Sequence, residues 1–172
     1  IGDALLGNER RLRIRSARCL LACGLMAYSV ASLGYFVAVG LAERGPVLAL
    51  ALLGVGGMLL FYAAIRSGAS ERLRDPSLTI AQMSFALLVG ALAYTLAGRG
   101  RGAVFPIMMV VLMFGLYSLT PRQVRLMSAL ALALFGAAMA LMAWRNPRVY
   151  RPEVEFAHFL VIAIILPAVS ML

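Results

Sequence analysis

The residues whose types and spacing could do chemistry sit near the end of the chain: Tyr150, Glu153, Glu155 and His158. Glu155 and His158 are three positions apart, which on a helix places them on one face, one turn inside the outer interface of the expected membrane span. A carboxylate beside an imidazole can bind a metal, accept a polar ligand or sense pH. The competing account is structural: the helix macrodipole favours acids at an N-terminus, and one histidine can serve as a packed, hydrogen-bonded residue. Haem is disfavoured because His158 is the sole histidine, so no second axial candidate exists. Gln82, Tyr94 and Thr95 are polar positions within an apolar run, where bonding to a neighbouring helix is the default role. The candidate ligand-binding set is therefore Glu155, His158, Tyr150, Tyr94 and Gln82. No catalytic residue, metal site or cofactor is expected in this segment, because no His-Glu-x-x-His, Gly-x-Ser-x-Gly or phosphate-cradling loop occurs.

The elements that must position these residues are apolar helices. Of the 172 residues, 63% are hydrophobic and 13% charged, against roughly 45–50% and about 25% in globular domains. Mean hydropathy is +0.93, and several apolar runs approach the roughly 20 residues of a membrane span. The runs are continuous, which argues against barrel strands. The expected fold is all-α, a polytopic six-helix transmembrane bundle. Its helices run from about Cys19 to Leu41, Val47 to Ile65, Leu78 to Ala97, Ala103 to Leu119, Thr120 to Trp144, and Glu153 onward. Residues 1–18 form a basic cytoplasmic segment and 19–172 the bundle. Gly54, Gly56 and Gly57 should allow close helix contact, as should Ala129, Ala133, Ala137, Gly136 and Ala140 in the fifth helix. Cys19 and Cys23, four apart on one helix, are read as packing residues.

The net charge of +9 comes from arginine, since no lysine occurs. The arginines cluster at the ends of apolar runs, where they anchor helices and meet anionic head groups; nucleic acid is not expected. With the N-terminus inside, cytoplasmic segments hold ten arginines and outer loops six. That bias places both ends in the cytoplasm. No acidic residue falls in mid-helix, and inverted repeats are not evident, which weakens a transporter reading. The polar stretch Arg66 to Thr79 reads as a charged hairpin, with Pro76 in the first turn of the third helix. The sixth helix is still apolar at Leu172, so a further segment is expected beyond it.

Phe61-Tyr62, Arg66-Ser67-Gly68, Arg74-Asp75-Pro76-Ser77-Leu78-Thr79 with Gln82, Phe114-Gly115-Leu116, Leu119 and Pro121-Arg122-Gln123 form a pattern. It resembles the six-helix N-terminal membrane module of bacterial GGDEF diguanylate cyclases; related modules precede adenylate cyclase or histidine kinase domains. The resemblance implies a sensory, homodimeric module in the bacterial inner membrane, meeting membrane lipids and a small hydrophobic or polar signal ligand. It also implies a catalytic domain beyond the last helix that makes cyclic di-GMP, with GTP and Mg bound there alone. No GGDEF residues occur in this chain, so it does not itself condense GTP. The alternatives are a small transporter or lipid-handling membrane protein, and a plain dimerising anchor.

Overall fold

The computed structural model describes residues 10–171 apart from Arg74 and Tyr117. Residues 1–9, Arg74 of the loop motif and the terminal Leu172 thus lie outside the described residues. No strand occurs among the described residues, which form six α-helices and two short 3-10 turns. The helices are α1 (Arg10–Ala38), α2 (Arg44–Arg66), α3 (Thr79–Leu96), α4 (Val104–Leu116), α5 (Pro121–Arg145) and α6 (Pro152–Met171). The 3-10 turns are Ala69–Arg72 and Gly98–Ala103. Among the described residues, five stretches are long and apolar enough to cross a membrane: Leu12–Ala38, Arg44–Arg66, Thr79–Leu96, Gly98–Gly115 and Pro121–Arg145. The architecture is compatible with a helical membrane bundle.

Three boundaries differ from the sequence expectation. The first helix was expected from Cys19 but already runs from Arg10, because arginine is a good helix former and a change in hydropathy does not end helical hydrogen bonding. The fourth helix proper ends earlier, Val104–Leu116, where the Ser118 and Leu119 N–H groups both turn back to the Gly115 carbonyl at 3.0 and 2.8 Å; the glycines before it wind into a 3-10 turn. Pro76 lies in a turn ahead of α3 rather than in its first turn. There the Asp75 carboxylate accepts the backbone N–H groups of Ser77 and Ile80 at 3.1 and 3.2 Å, and so caps α3 from a distance. The turn forces Leu78 to a φ of 53°, a left-handed conformation that costs a residue with a Cβ about 1–2 kcal/mol. The fifth helix starts as its sequence implies. Thr120 and Gln123 form a reciprocal capping box with Pro121 at the first helical position.

α3 is the axis of the bundle, packing against α2, α4 and α5, while α1 lies along α2 and α6 along α5. It buries Met83, Leu87, Val89, Ala91, Ala93 and Tyr94, so its apolar residues cover more than one face. Arg15 of α1 lies 3.8 Å from Glu71, which marks one end of the bundle. At the other end the 98–103 turn meets the 39–43 turn and the segment before α6.

The glycines of α2 act unequally. A Cβ on Gly54 would stand 2.9 Å from the Met26 sulfur, and one on Gly57 would enter the Phe85 ring, whereas Gly56 faces open space. The Phe85 ring is held edge-on to Phe61 at 5.7 Å and cannot simply turn aside. Gly57→Ala is therefore expected to destabilise by about 1–2 kcal/mol through overpacking. Gly56→Ala should be neutral or stabilising by up to about 1 kcal/mol from helix propensity. Thermal unfolding of both variants in detergent checks this contrast.

Candidate functional site

A buried polar cluster joins α3, the 98–103 turn and the start of α6. Glu155 is 3% exposed, which for a carboxylate demands a partner. Its Oε1 accepts from Arg101 Nε at 2.7 Å, and its other oxygen accepts a short hydrogen bond from the Tyr94 hydroxyl. Arg101 is itself 8% exposed. It donates from Nη1 to the Gly98 carbonyl at 3.0 Å and lies over the Tyr150 ring, 4.8 Å from its centroid. Both carboxylate oxygens and the guanidinium are thus engaged within the protein.

Tyr150 closes the C-terminus of α3. Its hydroxyl faces the carbonyls of Thr95 and Tyr94 at 2.8 and 3.2 Å as a donor, and accepts the Gly98 N–H at 3.1 Å. These are groups that a helix end leaves without intrahelical partners. Gly98 is required here: its φ is +52°, and a Cβ would lie 3.0 Å from the Leu41 carbonyl oxygen. Burial pushes the Tyr150 phenol above its ordinary range, opposed by the Gly98 N–H, so it remains a neutral donor at physiological pH.

His158 is half-buried, its ring edge-on to Phe105 at 5.1 Å and its Nδ1 3.5 Å from the Tyr94 hydroxyl. Because Tyr94 gives its hydrogen to Glu155, the imidazole can bond to that phenol only as a donor. Tyr94 also meets the rings of Phe105, Phe135 and Tyr150 at 5.6–6.2 Å. The cluster therefore sits on an aromatic floor that excludes water from the ion pair.

Of the five residues proposed from sequence, Tyr94, Tyr150, Glu155 and His158 are brought together. Gln82 is not among them. It lies near the other end of α3, where its side-chain amide donates to the Ser77 carbonyl at 2.8 Å. Glu153 faces outward, 3.9 Å from Arg151, with both side chains largely exposed. Arg101 is the residue that sequence reasoning missed. It reads as a loop arginine in a glycine-rich turn, equal to Arg99; the signal was the need of Glu155 for a cation. Cys19 and Cys23 are free thiols, and Cys23 Sγ lies 3.7 Å from the Met58 carbonyl oxygen.

Breaking the pair from one side leaves a buried, uncompensated charge, at a cost of about 3–5 kcal/mol. Glu155→Gln and Arg101→Gln should thus each lower the unfolding temperature markedly, while Glu153→Gln leaves it nearly unchanged. Tyr150→Phe should cost about 1–3 kcal/mol by orphaning the end of α3. Since folding raises the Tyr150 phenol above its unfolded value of about 10, its stabilisation is complete below that pH and declines as pH rises toward the folded value. Unfolding temperatures measured upward from pH 8 should fall more steeply for wild type than for Tyr150→Phe.

The chain matches no family model, and no curated protein or solved structure matches it either.

Proposed function

We propose that this chain is the sensory and dimerising membrane module of a bacterial inner-membrane nucleotide cyclase, most closely one that makes cyclic di-GMP. All six helices cross the membrane in this reading, with both ends cytoplasmic. The resemblance of the Arg66–Gln82 and Pro121–Gln123 segments supports the family, and the excess of cytoplasmic arginine supports the topology. The observation that carries the mechanism is the tie between Glu155, in the first turn of α6, and Arg101 and Tyr94. α6 packs along α5, and this ion pair links its base to α3 and the 98–103 turn. A signal that favours one arrangement of the cluster shifts α6, and α6 hands the shift to the catalytic domains of a dimer.

The test is GTP condensation by the complete protein, read together with the gene beyond Leu172. Wild type should make cyclic di-GMP, and Glu155→Gln should change the rate about fivefold or more, the low end of ordinary coupling energies. Activity that ignores the substitution reduces the module to a plain dimerising anchor. No condensation removes the cyclase reading. The alternative, a small lipid-handling or transport protein, is favoured by one observation, a groove open along α1.

A further inference from the structure

The bundle holds a cavity of about 310 Å³ between α1 and the pair α3–α4. Among the α1 residues that line it are Arg15, Ala22, Ser29 and Phe36, spaced every seven positions and therefore in one line along the helix. From Arg15 to Phe36 that line is about 31 Å long at 1.5 Å per residue, close to the roughly 30 Å of bilayer hydrocarbon. The two ends differ. At one, Arg15 and Arg18 line the cavity together with Ser77 of the α2–α3 connection and Thr79 and Gln82 of α3. At the other, the Phe36 ring lies against Gly100, 2.9–3.1 Å from where a Cβ would stand, and closes the groove. Between them the wall is apolar in effect, because the hydroxyls of Ser29 and Ser32 donate to the Leu25 and Tyr28 carbonyls of their own helix at 2.9 and 3.0 Å.

We propose that this groove binds one long-chain fatty acid, its carboxylate held by Arg15 and Arg18 and its chain running toward Phe36. The charge at the mouth selects the head group. Two arginines line it; Glu71, 3.8 Å from Arg15, engages one of them and the nearby Asp75 carboxylate is taken up by the Ser77 and Ile80 N–H groups, which leaves Arg18 to meet a monoanion. The volume selects the tail. At 310 Å³ the groove lies at the low end of small-molecule pockets of about 300–1,000 Å³. One extended chain fits, whereas a helix about 10 Å across does not. The site is separate from the Arg101–Glu155 cluster, and the proposal stands whether or not a cyclase follows.

The experiment is competition binding of tritiated palmitate to the full chain in phosphatidylcholine nanodiscs, with native mass spectrometry to count bound molecules. Palmitate should bind saturably, one per chain, and hexadecanol about tenfold more weakly for lack of a charge-assisted contact. Arg15→Gln with Arg18→Gln should bring palmitate to the level of the alcohol, and Arg15→Lys with Arg18→Lys should restore much of the difference. Ala22→Trp, which fills the groove from the half-buried face of α1, should abolish both; the surface arginine pair supplies an independent reading if that variant misfolds. Uptake that scales with total lipid, equal affinity for hexadecanol, unchanged affinity in the glutamine pair, or displacement by phosphatidylcholine would each overturn the proposal.

Discussion

A carboxylate that is almost wholly shielded from solvent can remain charged only beside a cation, and Glu155 has Arg101. Much of the far end of the bundle follows from that requirement. To reach Glu155 the arginine must fold back into the bundle, so the backbone between α3 and α4 winds into a 3-10 turn rather than an open loop. The turn begins with Gly98 in a left-handed conformation, and the Tyr150 hydroxyl takes the hydrogen bonds that the end of α3 would lack. The aromatic rings of Tyr94, Phe105 and Phe135 complete the enclosure and keep the local dielectric low. One electrostatic demand thus ties together three segments far apart in the chain.

The apolar architecture was legible from composition because helices in hydrocarbon must satisfy their own backbone, leaving long uninterrupted apolar runs. The Thr120–Gln123 box was legible because a capping box is local chemistry. The start of α1 was not, since the polarity of the chain changes near Cys19 while helical hydrogen bonding continues through the arginines. The Asp75 cap was hidden for a related reason: a carboxylate reaching over a proline to Ile80 is a three-dimensional event. In the cluster, Glu155 and His158 showed themselves by their spacing, and Tyr150 by its place before α6. Arg101 did not, because sequence treats every arginine between two apolar runs as solvated, and only the fold separates it from Arg99. Gln82 was grouped with Tyr94 because both are polar positions on α3, yet the length of that helix carries them to opposite ends.

The two ends of the molecule consequently have different chemistry. At the end of Tyr150 and Glu155, polar groups are enclosed and satisfied by one another. At the end of Arg15 and Gln82, arginines and hydroxyl side chains border open space. The same central helix, α3, belongs to both ends.

The length of α1 has a mechanical consequence. Its 29 residues span about 43 Å as a helix, more than a bilayer's hydrocarbon is thick, so a bilayer would hold it only tilted or projecting beyond the apolar slab. Its packing lies along α2, and its residues form one wall of the space that α3 and α4 border on the other side. In a bilayer, a tilt of α1 taken up to match the thickness of the hydrocarbon would act directly on the space it borders, so the dimensions of a membrane would bear on the aperture between the helices.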